Sequence, residues 1–253
     1  MPEPVSLRSA GYPLYLQVRE QLRDKIAALA PGDIIPTEPA LCTVFGVSRI
    51  TIRKAIDELV TENLLIRKQG RGTFKAAPKL IHELNSITSW TDQLKALGYT
   101  PRTSERSVEE VSVPIQIAGL LQISPSETVT VLRRLRLADN EPITQMVNYI
   151  PTKLAPGLGK AMETTESLYQ ALSERYGLVA AHATDTVTTR AATDMESEKL
   201  RIEPWAPVLS VLRVAFLDDG TPIEVTTALS RGDRFEYRVK LFRSGRPAGP
   251  GAQ

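Results

Sequence analysis

Over the first quarter of the chain the apolar positions keep a helical period. Leu14, Val18, Leu22, Ile26 and Leu29 recur every three to four residues and predict a helix over 14–29. Pro31-Gly32-Asp33 stops it. Thr37 ahead of Glu38 and Pro39 predicts a hydroxyl cap and a short helix to about Phe45, with Gly46 as a tight turn. Ser48 predicts a second cap, opening a helix from Arg49 to about Asn63. Two helices joined by a short Gly-containing turn make a helix-turn-helix. On the last of these helices Ile52, Ala55, Ile56 and Leu59 form the core arc, and Arg49, Ile50, Thr51, Arg53 and Lys54 lie off it. The pattern then shortens to two strands, Leu64–Lys68 and Thr73–Lys75, around Gln69-Gly70-Arg71-Gly72, which adds a wing.

Beyond Ala76-Ala77-Pro78, read as a linker, the pattern repeats at a spacing of about 80 residues. Val131-Leu132-Arg133 returns as Val211-Leu212-Arg213, Asp139 as Asp219 and Pro142-Ile143 as Pro222-Ile223; with a one-residue slip Trp90 and Gly98 return as Tyr169 and Gly177. Each copy reads as a helix ending at glycine, a Thr/Val-rich strand, a short helix and a hairpin turning at Asp139-Asn140 or Asp219-Gly220. The expectation is an α+β fold: a winged helix-turn-helix over 12–77, then an internally duplicated antiparallel sheet with helices on one face over 78–243, then a disordered tail over 244–253. Chance similarity between two hairpins is the competing explanation of the repeat.

Composition matters chiefly through its distribution. The whole chain of 253 residues is nearly neutral, 31 basic against 29 acidic side chains. Residues 1–78 hold 11 basic and 8 acidic, and 49–75 alone hold seven and three, so the basic excess is local to the third helix and wing. One cysteine, Cys42, excludes an internal disulfide, and two histidines leave neither a zinc site nor a His-based catalytic set. No cofactor and no metal are expected. No apolar run reaches membrane-spanning length, so a cytoplasmic protein without a membrane partner is expected. Cys42 and Trp205 are expected to be packed residues; His82 and His182 have no partner at catalytic spacing.

The chemistry of the first part suits double-stranded DNA. Arg49, Arg53 and Lys54 can reach base edges or phosphates, with Ile50 suited to a thymine methyl and Thr51 beside them. Ser48 at the helix N-terminus suits a phosphate, and Gly70, Arg71 and Gly72 form a basic wing tip. The second part suits an anion. Arg134 and Arg136 lie at i and i+2 on one strand face, roughly 6–7 Å apart. In the repeat their counterparts are Val214 and Phe216, while Glu224 stands opposite Thr144. Alternatively these charges pair with each other, as Arg134 with Glu224. Ser89-Trp90-Thr91 and Ser167-Leu168-Tyr169 open the two related helices, where the serines serve either an anion or simple capping.

Pro13-Leu14-Tyr15, Pro31-Gly32-Asp33, Pro36-Thr37-Glu38, Phe45-Gly46-Val47-Ser48-Arg49 and Gly70-Arg71-Gly72-Thr73-Phe74 together resemble the GntR superfamily of bacterial transcriptional regulators. Arg134-Leu135-Arg136, Tyr149-Ile150-Pro151, Ser167-Leu168-Tyr169 and Arg231-Gly232-Asp233-Arg234 resemble the UTRA effector-binding domain of its HutC subfamily, similar in fold to chorismate lyase. The resemblance implies a homodimeric regulator, usually a repressor, on a palindromic operator, released or repositioned by a small anionic metabolite such as a sugar phosphate. It implies that Ser89, Trp90, Thr91, Arg134 and Arg136 hold a phosphate and that Ser167, Tyr169 and Glu224 line the rest. Met146 and Ser230 stand where such relatives carry a carboxylate and a tyrosine, and Pro39 stands where an arginine commonly reads DNA. A ligand-converting enzyme of chorismate-lyase-like fold is the alternative, disfavoured by the missing acid–base set; a sequence-indifferent DNA binder would not need the second domain.

Overall fold

The computed structural model describes residues 11–68, 70–83 and 86–241. The disordered tail expected at 244–253 lies outside the described residues. The chain forms two compact units that divide between Lys79 and Leu80.

The first unit is three helices and a hairpin. Helix α1 (Leu14–Ala27) buries Val18, Leu22 and Ile26, four residues apart on one face. Helix α2 (Glu38–Phe45) carries Pro39 in its first turn, where a missing N–H costs nothing. The cap expected from Thr37 is not made by its side chain; the cap's main-chain oxygen still receives Leu41 N–H at 2.9 Å. Gly46 ends α2 at φ 65°, a conformation other side chains resist, and so turns the chain into α3 (Arg49–Thr61). Ser48 caps α3 by accepting Thr51 N–H. Ile52, Ala55, Ile56 and Leu59 meet α1 and α2 in one core, with Cys42 half-buried against it. The wing pairs β1 (Leu65–Lys68) antiparallel with β2 (Gly72–Lys75).

The second unit holds β3 (Leu80–Glu83), α4 (Trp90–Ala96), β4 (Pro101–Ser112), α5 (Ile115–Leu121), β5 (Thr128–Ala138), β6 (Glu141–Pro151), α6 (Leu158–Ala161), α7 (Leu168–Tyr176), β7 (His182–Ala191), α8 (Asp194–Leu200), β8 (Pro207–Phe216), β9 (Pro222–Arg231) and β10 (Phe235–Arg238). The run α4-β4-α5-β5-β6 returns as α7-β7-α8-β8-β9. The six-stranded antiparallel sheet is ordered β4-β5-β6-β9-β8-β7, so the two halves meet at β6 and β9. β3 and β10 form a separate parallel pair. Both hairpins bulge at the same place, between Arg136 and Leu137 in one and Ala215 and Phe216 in the other. Both short helices α5 and α8 end on a left-handed residue, Gln122 or Arg201.

That shared bulge corrects the register of the repeat. β6 and β9 are related by 80 residues, as Ile143 and Ile223 show, but β5 and β8 are related by 79, because the second turn is one residue longer. A one-residue slip reverses every side chain's face. The counterpart of Arg134 is therefore Arg213, not Val214, and that of Arg136 is Ala215, not Phe216. Val214 instead matches Leu135, and both pack on the other side of the sheet. The pairing of Glu224 with Thr144 as counterparts stands.

The expectation of helices on one face is also corrected. On β5, Val129, Val131 and Leu135 pack with α5 and α8, whereas Leu132 and Ala138 pack with α6, α7 and α4. Both faces are covered, which explains the near-continuous burial of that strand. Trp205, expected in the core, is 73% exposed in a turn at φ 64°.

The Arg231-Gly232-Asp233-Arg234 turn is scaffold. Arg231 grips Asp233 through two nitrogens at 2.7 and 3.0 Å, and Glu141 pairs with both Arg231 and Arg234. A Cβ on Gly232 would lie 2.7 Å from the backbone oxygen of Pro207, so no larger residue fits.

Candidate functional site

In the first unit the exposed side chains gather at the N-terminal end of α3. Ser48 Oγ caps Thr51 and lies 2.9 Å from its hydroxyl. Arg49 Nε donates to Glu38 at 2.9 Å. An ion pair this exposed is worth about 0–1 kcal/mol and yields easily to a phosphate. Ile50 is 82% exposed, with no packing role. Arg53 is exposed and, among the described residues, makes no ion pair. Lys54 sets its ammonium 3.8 Å from the centre of the Tyr15 ring, which steadies it against α1. Gly70, Arg71 and Gly72 are exposed in the wing turn. All the expected DNA-contacting residues thus belong to one helix end and one turn.

In the second unit one cleft of ≈ 670 Å³, counted to its open mouth, lies across the seam of the two halves. That size suits a metabolite. Ser89, Trp90, Thr91, Arg134, Arg136, Met146, Tyr169, Glu224 and Ser230 all line it. Ser167 alone among the expected residues does not; it is buried behind and spends its hydroxyl on Gln170 N–H. Ser89 likewise accepts Asp92 N–H at 3.0 Å and donates to Asp92 Oδ2 at 2.6 Å, so both serines are caps.

Alternation along the strands aims the cleft's chemistry. Arg134 and Arg136 point inward from β5, Met146 and Asn148 from β6, Glu224, Thr226 and Ser230 from β9, and Arg213 from β8. Arg136 lies over the Trp90 ring at 4.6 Å and donates to Thr91 Oγ1 at 2.8 Å. Arg134 donates to Asn148 Oδ1 at 3.0 Å, and Asn148 Nδ2 donates to Glu224 Oε1 at 2.7 Å. The direct Arg134–Glu224 ion pair is thus not formed; an amide stands between them. Ser230 bonds Thr144 at 2.9 Å across the seam.

The electrostatics are unbalanced in one direction. Burial first, then the neighbouring Arg136, pull the Arg134 guanidinium down to about 9, and burial pulls Arg136 down to about 10. Both stay cationic at neutral pH, in a site short of negative charge. Each also keeps a buried Nε without a partner, as does Glu224 its Oε2. Buried polar atoms rarely stay unpaired; Trp90 Nε1 and His82 Nδ1, of two further side chains that line the cleft, share this state. Arg213 differs. Burial opposes its charge, but two 2.7 Å bonds to Asp185 hold it raised, and its charge is already met. Burial and the Glu224 charge push the Tyr169 hydroxyl above its usual range.

Several cleft residues escaped the sequence reading, Arg213, Asn148 and His82 among them. Arg213 and Asn148 lie on strands whose face only the register reveals. His82 comes from the four-residue β3, too short to carry a pattern. Glu166, before α7, lies outside the cleft lining but contacts Arg136 and Arg106; no motif marks it. Among the described residues no three His, Cys, Asp or Glu side chains gather as a metal site would need. No described helix is long and apolar enough to cross a membrane.

Two family models match the chain: bacterial regulatory proteins, gntR family, over residues 14–74, and the UTRA domain over 96–236. The HTH-type transcriptional repressor NagR of Bacillus subtilis is 32% identical over 91% of this chain and 95% of its own. The probable fructoselysine utilization operon transcriptional repressor of Escherichia coli K12 is 33% identical over 89% and 93%. The crystal structure of PhnF from Mycobacterium smegmatis superposes with a TM-score of 0.65 at 27% identity, covering 89% of this chain and 99% of that one. Such relatives are regulators and not enzymes, which disposes of the ligand-converting alternative. The matched lengths take in both units, and the chain belongs to the GntR family of transcriptional regulators, with a gntR-type DNA-binding unit followed by a UTRA domain.

Proposed function

We propose that this regulator is a repressor that binds a palindromic operator as a homodimer and changes its operator affinity when a small anionic metabolite, a phosphorylated sugar or a related compound, enters the cleft. The observation that carries the anion is the pair of buried arginines, each cationic, each with an unpartnered Nε and neither in a direct ion pair with a buried carboxylate. Arg134, Arg136 and Thr91 bind the anionic group, with Ser89 and Trp90 shaping that end. Tyr169, Glu224 and Ser230 read the polar body, Ser167 holds α7 in place, and Met146 forms an apolar floor. In the first unit Ser48, Arg49, Thr51 and Lys54 engage phosphates and Arg53 and Ile50 the base edges, with Gly70, Arg71 and Gly72 at the wing. One relative's name ties it to fructoselysine utilization, which is in keeping with a sugar-derived effector.

Thermal-shift titration with glucose 6-phosphate against glucose tests the anion. Stabilisation by the phosphorylated sugar alone, lost in Arg134→Ala, is the expected result. Equal shifts for both sugars, or an undiminished shift in Arg134→Ala, overturn it.

A further inference from the structure

The two arginines of the cleft are already engaged by the protein itself, through Glu166, a residue beside the cleft rather than in its lining. Arg136 NH1 donates to Glu166 Oε2 at 2.8 Å and to the Glu166 backbone oxygen at 3.2 Å. Arg134 NH1 donates to that same backbone oxygen at 3.1 Å, and Thr91 Oγ1 donates to it at 3.3 Å. Arg106 NH2 holds the other carboxylate oxygen at 2.9 Å, and Thr103 donates its hydroxyl to Oε2. One residue thus takes up donors of Arg134, Arg136 and Thr91. Arg136 is 1% exposed and Glu166 42%, so the cation is fixed and the carboxylate stands at the edge, on an irregular segment between α6 and α7.

We propose that Glu166 is a built-in counter-ion that an incoming anion must displace, and that it thereby sets the affinity threshold of the site. This rests on the anionic-effector reading above. A tethered carboxylate competes at an effective concentration in the millimolar range or higher. A ligand carboxylate would exchange like for like and gain little. A phosphate monoester brings about −1.5 to −2 charges and three acceptor oxygens, and so more than replaces what it displaces. The displacement cost is common to every anion. Removing it therefore tightens all of them by the same factor, and it is the weak carboxylates that then become measurable.

The test is isothermal titration of wild type, Glu166→Gln and Glu166→Asp with inorganic phosphate, glucose 6-phosphate and glucuronate. Both variants are expected to bind all three anions more tightly, by a common factor of about ten for Glu166→Gln, comparable to one charge-assisted hydrogen bond. Unchanged or weakened binding in the variants overturns the counter-ion. Absence of phosphate binding in wild type and variants alike overturns the anionic reading itself. Hydrogen exchange on the wild-type chain needs no variant: saturating glucose 6-phosphate should speed exchange over residues 163–167 as Glu166 lets go, and added protection there rejects the proposal.

Discussion

His82 shows how a single side chain acquires meaning only from its surroundings. In the sequence it is an isolated histidine with nothing at catalytic spacing. In the fold it lines the cleft from β3, its Nε2 3.3 Å from Gln93 Nε2 and its ring 4.9 Å from that of Tyr237. Burial, then the charge of Arg213, lower it from 6.5 to about 4, so it is neutral at pH 7. The unfolded chain takes up its proton near pH 6.5 and the native chain does not until about pH 4. Stability therefore falls as pH drops through that window, by up to about 3 kcal/mol in total. Urea unfolding at pH 7, 6, 5 and 4.5 should show a shallower acid limb for His82→Gln than for wild type. Identical limbs would mean that His82 is protonated in the native state. Trp205 teaches the converse. An aromatic side chain after proline reads as core, yet local backbone, a left-handed turn before β8, carries it into solvent.

Elements were legible wherever pattern and punctuation agreed. The helix-turn-helix announced itself through the four-residue spacing of Val18, Leu22 and Ile26, the glycine at 46 and the cap at Ser48. The duplication was legible too, but not its register, because one extra residue in the Asp218-Asp219-Gly220 turn moves β8 by one place without disturbing the motif similarity. Two sequence letters look equivalent at that offset while their side chains point to opposite faces. Only the pairing of the bulged hairpins settles which arginine answers which. Helix α8 gives a clean test of local design. Thr193 Oγ1 accepts Glu196 N–H, and the Glu196 carboxylate accepts Thr193 N–H at 2.8 Å while holding Arg190 at 2.7 Å. Leu200, at the far end of this helix, is fully buried with Leu135 and Leu229. Thr193→Ala removes one arm of this reciprocal cap and should cost about 1 kcal/mol. Chemical denaturation of the variant checks this, and a midpoint equal to wild type would show that the Glu196–Arg190 pair alone holds the helix end.

At the scale of the molecule, two chemically distinct sites lie on two separately compact units. The nearly neutral net charge conceals this, because a basic reader is offset by the rest of the chain. The boundary at Lys79 and Leu80 leads straight into β3, and β3 brings His82 into the cleft, so a cleft occupant meets the chain three residues beyond the boundary. The proposed function predicts two properties. The two sites should be separable by mutation, and a single coupling free energy should link them when both are filled. Arg53→Ala should weaken operator binding by about 1–3 kcal/mol through a lost base contact and leave the affinity of the free protein for glucose 6-phosphate unchanged. Arg134→Ala should do the reverse, keeping operator affinity in the absence of effector and losing the response to it. In wild type the factor by which saturating glucose 6-phosphate changes operator affinity must equal the factor by which operator changes affinity for the sugar phosphate, with values of about 5–150 typical of such coupling. Fluorescence anisotropy of a labelled operator, at fixed salt because phosphate contacts respond steeply to it, measures the first factor. Calorimetric titration of the sugar phosphate with and without operator measures the second. If Arg134→Ala weakens operator binding as much as Arg53→Ala does with no effector present, the buried arginine is a support of the DNA-binding state itself, and the division of labour between the two units fails.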